Sequence, residues 1–513
     1  MNLSTAASAV FAQPTAPSIT APLFLTDCYK LGHKDLYPAG TTCVLSNYTN
    51  RASRVAGVDK AVHFGLQAFL QSYCIEAFAP FFAADEDEAV AEYDATLAAV
   101  LGPDHGINTE HIRALHRLGY LPLVFCALPE GTRVPLRVPS FTVENTLPEF
   151  FWLTNYIETV LSSEIWQAST SATTADTYRG ILDTAAQRTG GDMAAVNWQL
   201  HDFSFRGMAG AHAAAASGAG HLLSFTGSDS LATIDWVNRY YPSAAGTENG
   251  LVIGSIPATE HSVMSAGISA VDELDTYQRI LDQYPAGNIS VVSDTMDFWK
   301  VLTQILPALK EQIMRRDGKL VIRPDSGDPV DILCGTAGPH AEDTQALEPA
   351  QLGAVRLLWQ VFGGKINKAG FKELDPHIGL IYGDSITVER ARQITEKLEE
   401  LGFAASNVVL GVGSFTYQYV TRDTFSSAVK ATWAEINGEG HNLLKDPVTD
   451  SGMKKSATGR LAVVAGPDGE LELIEKATAE QEAASLLKPV WNDGRFIRTQ
   501  SFNDVRQVLG NLR

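Results

Sequence analysis

Short apolar runs recur through the middle of the chain, each ended by Gly, Ser or Asp and followed by a stretch of helical period. Residues 250–255 (GLVIGS), 288–292 (NISVV), 319–322 (KLVI), 378–381 (IGLI) and 407–410 (NVVL) read as strands buried on both faces. After Asp384 the helical period is explicit. Val388, Ala391, Ile394, Leu398 and Leu401 fall three or four apart, and Gly402 stands at the C′ position. Asp384 or Ser385 is placed to cap that helix. Strands alternating with helices predict a parallel sheet covered on both sides, so the fold class is α/β. Polar residues stand just past nearly every strand: Ser293 and Asp294, Arg323 and Asp325, Gly383 and Asp384, Gly413 and Ser414. Barrels build their sites at the C-terminal ends of many strands, whereas an open doubly wound sheet binds mainly at one switch point. The distribution here favours a closed ring.

The flanks have a different texture. Residues 83–100 are rich in Ala and Glu and predict a helix, as does the pattern over 149–189. Residues 121–142 read as short strands broken by Pro and Gly, and LAVVAGPDGELELI near the C-terminus reads the same way before a final amphipathic helix. The expected boundaries are a flexible tail over 1–21, an α+β domain over 22–190, the barrel over 191–424, and a C-terminal segment over 425–513 packing with the N-terminal domain.

Composition narrows the function classes. The chain has 513 residues, 45% hydrophobic and 19% charged, which is the profile of a soluble globular enzyme of more than one domain. No apolar run is long enough to span a bilayer, and the uncharged start lacks the basic and apolar segments of a secretory signal. A formal net charge of −20 argues against nucleic acid as a partner and confines anionic ligands to local basic clusters. Cys28, Cys43, Cys74, Cys126 and Cys334 are scattered without a CxxC pair, which points to a reducing, cytoplasmic setting and away from disulfides or zinc.

Five segments carry candidate chemistry. HDFSFRG (201–207) sets the aromatic Phe203 three residues from the cation Arg206, a pairing that suits a flat base and equally a core aromatic beside a surface cation. IPATEHS (256–262) places His261 beside Glu260 just past a strand, where it can act as acid, base or phosphate acceptor or simply hold structure. His201, His212 and His221 lack metal-site spacing. VIRPDSGDP (321–329) presents Arg323, suited to phosphate, and Asp325, suited to two ribose hydroxyls, on a turn set by Pro and Gly. IYGDS (381–385) and GVGS (411–414) are Gly-containing turns of the kind that cradle phosphate at a helix start. Arg422, Lys430, Lys445, Lys454, Lys455 and Arg460 form a late basic enrichment. There is no GxxxxGK[ST] loop and no full GxGxxG fingerprint.

Taken in order, HDFSFRG, FTGSDS, SIPATEHS, VVSDTMD, IRPDSGDP, GDS, TRD and KDPVTDSGMKKSATGRL, preceded by TDCYKLGHKDLYP, resemble the nicotinamide phosphoribosyltransferases. These are type II phosphoribosyltransferases related to the nicotinate phosphoribosyltransferases. The likeness runs from about residue 22 to the C-terminus. It implies an irregular (β/α) barrel with an additional α+β domain built from the N- and C-terminal parts. It implies transfer of phosphoribosyl from phosphoribosyl pyrophosphate to nicotinamide with Mg²⁺, and a homodimer with shared active sites. By the same resemblance, Phe203 and the partner subunit's Tyr29 sandwich the pyridine ring, with Asp27 beside the tyrosine. Asp229 takes the carboxamide, and Arg206, Arg323 and Asp325 contact base, phosphate and ribose. Ser255, Ser293, Asp297, Gly383, Asp384, Gly413 and Ser414 complete the substrate site. Arg51, Arg422, Lys430 and Lys445 match diphosphate and nucleotide contacts, and His261 matches a histidine phosphorylated by ATP. No metal ligands are assigned. The chain departs from the pattern at Cys28, Ser414, Phe415, Ala428 and Met453. Alternatives are a nicotinate phosphoribosyltransferase, another phosphate-binding barrel enzyme, and a non-catalytic descendant. A carboxylate at 229 favours an amide over a carboxylate substrate.

Overall fold

The computed structural model describes residues 18–243, 252–339, 347–383, 385–447, 449 and 455–512. Residues 1–17, Asp384, Met453 and Lys454 lie outside the described residues.

The apolar runs form a six-stranded parallel sheet in the order Gly227–Ser228, Leu200–Asp202, Val408–Val412, Ile378–Tyr382, Leu320–Arg323 and Ile289–Val292. Leu380 pairs with both Val408 and Ile322, and Leu410 pairs with Leu200. Every residue of Ile289–Val292 and of Ile378–Tyr382 is buried, as strands covered on both faces require. The ring is closed by an irregular segment. Gly254 bridges Gly227 at one edge of the sheet, and Ala258 bridges Ser290 at the other. The Gly254 amide donates to the Thr226 carbonyl at 2.9 Å, and the Ser290 amide to the Pro257 carbonyl at 2.9 Å. The strand expected over 250–255 is thus reduced, in its described part, to a single bridge. Pro257 has no amide proton to continue a ladder.

Helix Val388–Glu400 buries Ala391, Ile394 and Leu398 as its period predicts, and Gly402 follows at φ +75°. The cap expected at Asp384 or Ser385 falls instead to Thr387, whose hydroxyl accepts the Arg390 amide at 3.1 Å. Helix Glu158–Thr189 packs against Ala211–His221 so closely that a side chain at Gly220 would meet the Ala168 carbonyl at 2.8 Å.

A seven-stranded antiparallel sheet lies beside the barrel. Its order is Glu439–Asn442, Ser427–Ile436, Thr41–Asn50, Pro139–Asn145, Leu123–Ala127, Lys488–Asn492 and Arg495–Phe496. Strand Thr41–Asn50 pairs with Ser427–Ile436 on one side and Pro139–Asn145 on the other, so N- and C-terminal segments share one sheet. Tyr48, Phe125, Phe141 and Trp491 fill its core. Thr20 is fully buried, and its hydroxyl donates to Glu92 at 2.6 Å.

Candidate active site

Two groups of side chains gather at the barrel's strand ends. The first surrounds Phe203, whose amide donates to the Val412 carbonyl at 2.8 Å and so carries the ladder one residue past Leu200–Asp202. A side chain at Gly411 would meet the Tyr382 carbonyl at 2.5 Å and the Phe203 ring at 3.0 Å, so the ring lies where only glycine leaves room. The His201 ring is 4.5 Å from the Phe203 ring, and the Arg323 guanidinium is 6.0 Å from its centroid. Arg206 is exposed in the turn Phe205–Gly207.

Asp229 follows strand Gly227–Ser228, and its amide is held by the Asp202 carbonyl at 2.9 Å. Its Oδ1 accepts the Ser255 hydroxyl and lies 3.1 Å from His201 Nε2. Its Oδ2 takes no hydrogen bond among the described residues. Burial works to raise the carboxyl's pKa, but the bonds from His201 and Ser255 outweigh it and hold the group below the usual carboxylate range. Asp229 is thus an ionised acceptor with one oxygen to spare.

The second group is charged. His261 opens helix His261–Ala270 with its side chain half-exposed. Its Nδ1 lies 3.0 Å from Thr295 Oγ1, and its Nε2 lies 3.8 Å from Asp294 Oδ1 and 3.7 Å from Asp325 Oδ2. Arg323 donates to the Thr259 carbonyl at 2.7 Å, and its Nε sits 3.7 Å from Asp325 Oδ1. The Asp325 carboxylate lies against Gly383, where any side chain would collide with it. Gly413 precedes the short helix Ser414–Tyr417, and the Ser414 hydroxyl occupies the space a side chain at Gly207 would need.

Other candidates are placed apart. Ser293 is buried, donating to the Val291 carbonyl at 2.7 Å and accepting from Tyr277 at 2.9 Å, so its hydroxyl is engaged in the core. Asp297 caps Phe298–Lys300 through the Trp299 and Lys300 amides. On the antiparallel sheet, Arg51 and Lys430 line a cavity of about 210 Å³ with Arg137 and Lys455. Lys430 is ion-paired to Glu158 at 3.0 Å, which also takes Lys30 at 3.2 Å. Arg422 pairs with Asp423 at 3.3 Å, and Lys445 is exposed. Tyr29 is 65% exposed and donates to Asp27 at 3.0 Å, while its ring lies tilted at 44° to the His33 ring, 5.5 Å away. The Thr159 hydroxyl, above all, holds the Asp27 carboxyl below the usual range. Within one chain, then, Tyr29 does not meet the Phe203 ring.

Two residues had no role assigned from the sequence, His201 and Arg137, while Asp294 was noted only as a polar residue past its strand. His201 could have been found, because residues two apart on a strand share a face with Phe203. Arg137, at φ +73°, carries no such signal.

The model of the nicotinate phosphoribosyltransferase (NAPRTase) family matches residues 198–495, more than half of the chain. The chain belongs to this family. A nicotinamide phosphoribosyltransferase of Acinetobacter baylyi is 49% identical over 502 residues, covering 95% of this chain and 97% of that protein. One of Mycoplasma pneumoniae is 34% identical, covering 85% of this chain and 94% of that protein. Among solved structures, a nicotinate-nucleotide pyrophosphorylase from Pyrococcus furiosus superposes with a TM-score of 0.55 at 15% identity, covering 98% and 97% of the two chains. That likeness concerns the fold alone. The matched span takes in both strand-end groups, so His201, Asp229, His261 and Asp325 all stand within the family's own region.

Proposed function

We propose that this chain is a nicotinamide phosphoribosyltransferase, forming nicotinamide mononucleotide and pyrophosphate from nicotinamide and phosphoribosyl pyrophosphate. The observation that carries the reading is Asp229: an ionised carboxylate near the Phe203 ring, with one oxygen held by His201 and Ser255 and the other open. An open carboxylate accepts from a carboxamide N–H₂ and repels a nicotinate carboxylate. The names of the Acinetobacter and Mycoplasma relatives agree with this reading.

In the reaction the pyridine nitrogen's lone pair forms the bond to ribose C1 as the C1–O bond breaks, and that electron pair leaves on pyrophosphate. Phe203 and the partner subunit's Tyr29 hold the ring, which converts an encounter into a positioned attack. Asp325 orients the ribose hydroxyls, while Arg323, Arg206 and the Gly383 and Gly413–Ser414 turns hold the sugar phosphate. Arg51, Arg422, Lys430 and Lys445 stabilise the leaving diphosphate. Since Tyr29 lies on the antiparallel sheet's side, exposed and away from Phe203, a second copy completes the clamp, and the enzyme works as a homodimer.

Among the described residues no group of three or more His, Cys, Asp or Glu is placed to hold a metal. Mg²⁺ bound largely by diphosphate needs only one or two protein carboxylates, and the partly exposed Asp325 fits that role. When bound it neutralises diphosphate charge. In this reading His261 takes the γ-phosphoryl group of ATP, its ring nitrogen forming the N–P bond as the bond to the ADP oxygen breaks, and its half-exposed side chain supports that role. No described helix is long and apolar enough to cross a membrane, and we place the enzyme in the cytoplasm.

The test is pyrophosphate release from phosphoribosyl pyrophosphate with nicotinamide or nicotinate, each with and without ATP. Release with nicotinamide, enhanced by ATP, is expected. Release with nicotinate alone would overturn the choice of base, and no release with either would overturn the activity.

A further inference from the structure

Asp294 is the most constrained carboxylate near His261. Its side chain is 5% exposed. Its Oδ2 accepts two donors from the turn after strand Leu320–Arg323: the Asp325 amide at 2.7 Å and the Ser326 hydroxyl at 2.6 Å. Its Oδ1 is buried and has no donor. A buried carboxylate oxygen left in that state is costly, and such atoms call for an explanation. The nearby group that can supply a proton is His261 Nε2, 3.8 Å away, and Asp325 Oδ2 lies 3.7 Å from the same nitrogen. On the ring's other side, Nδ1 meets Thr295 Oγ1 at 3.0 Å.

These contacts are not symmetrical. A hydroxyl either donates or accepts, whereas an ionised carboxylate only accepts. Thr295 therefore fits either tautomer, and the choice is made at Nε2. A lone pair there would face two carboxylates, while an N–H there satisfies them. We propose that Asp294 is a positioning residue that keeps the His261 proton on Nε2, leaving the lone pair on Nδ1 against the Thr295 hydroxyl, and that fixes the Asp325 turn in the same register. Asp325 alone does not suffice, because its side chain is 31% exposed and so is less firmly fixed than that of Asp294. Asp294 is buried and already anchored through Oδ2, so its Oδ1 stays aimed at the ring. A small rotation of the imidazole closes the remaining distance. The tautomer rests on geometry alone; its meaning for phosphoryl transfer rests on the function proposed above.

Asp294→Asn separates the two roles. The amide must keep its oxygen on the Asp325 amide and Ser326 hydroxyl, so its N–H₂ turns toward Nε2. The ring then has to accept at Nε2 and carry its proton on Nδ1. The measurement is two-dimensional ¹⁵N–¹H correlation of the imidazoles in the full-length protein, with His261 identified among the 12 histidines by its loss in His261→Ala. Wild type should show Nε2–H and Asp294→Asn should show Nδ1–H. A wild type with Nδ1–H, or a folded variant with an unchanged tautomer, overturns the proposal. Thr295→Val provides a second test should the first variant fold poorly: Nε2–H is expected to persist, and a switch to Nδ1–H would show that Thr295 sets the tautomer instead. Acid-labile label from γ-³²P-ATP is read alongside. Wild type should take label and Asp294→Asn at least tenfold less. A wild type without label would sink the phospho-histidine reading while the tautomer result still decides the role of Asp294.

Discussion

Replacing Asp229 by Asn tests the choice of base with almost no change of volume. Both donors to the carboxylate, His201 Nε2 at 3.1 Å and the Ser255 hydroxyl, converge on Oδ1. An amide at this position keeps its oxygen under those donors and turns its N–H₂ to where Oδ2 stood. The carboxamide N–H₂ of nicotinamide then meets a donor instead of an ionised acceptor. A hydrogen bond to a charged group contributes about 1.5–3 kcal/mol, which corresponds to a roughly 10- to 150-fold fall in kcat/KM for nicotinamide. For nicotinate the sign reverses, because a carboxylate-to-carboxylate repulsion becomes a donor-to-carboxylate contact. The assay is kcat/KM for both bases by pyrophosphate release, with thermal unfolding as a control for folding. A ratio of nicotinamide to nicotinate that moves less than twofold would refute the role given to Asp229.

Further outcomes follow from the same geometry. Gly383→Ala puts a methyl group into the Asp325 carboxylate, the mobile end of a side chain, so unfolding temperature should hardly move while KM for phosphoribosyl pyrophosphate rises at least tenfold; unchanged kinetics would remove Asp325 from the ribose site. Arg51→Ala should raise the same KM and flatten its dependence on salt, measured between low and physiological ionic strength, since one diphosphate contact is lost. Stability should also fall with acid. Burial, foremost, pushes His63 down to about 3 and His111 and His221 down to about 4, whereas the unfolded chain protonates near 6.5. The stability from keeping them neutral is full above pH ~6.5 and is lost as pH falls toward those values, about 2 kcal/mol for each by pH 5. His212, raised chiefly by its hydrogen bond to Glu164, works weakly in the opposite sense. An unfolding temperature flat between pH 7 and 5 would contradict this.

The parallel strands were legible because burial on both faces leaves uninterrupted apolar runs, and 288–292, 319–322, 378–381 and 407–410 each fall within two residues of the observed ends. Closure itself was suggested by polar residues past many strands, but the segment that closes the ring was misread as a full strand over 250–255, because Gly254 and Ala258 join the edges by single bridges that leave no periodic trace. The site shows the same division. That chemistry sits just past the strands could be read from Arg323, Asp325 and His261. Which of two adjacent polar residues faces inward could not: Ser293 is bonded to Tyr277 in the core, while Asp294 faces His261. Side chains alternate across a strand, but past its last pair the backbone leaves that rule, and only the turn decides. Ser414 makes the point from the other direction. Its departure from the family pattern was visible in the sequence, but what it touches was not. The structure shows its hydroxyl lying over Gly207, in space that exists because that residue has no side chain. The consequence of a substitution at 414 is therefore set by residue 207, which belongs to the turn that follows Phe203. A larger side chain at 207 would disturb the Gly413–Ser414 turn before it disturbed its own.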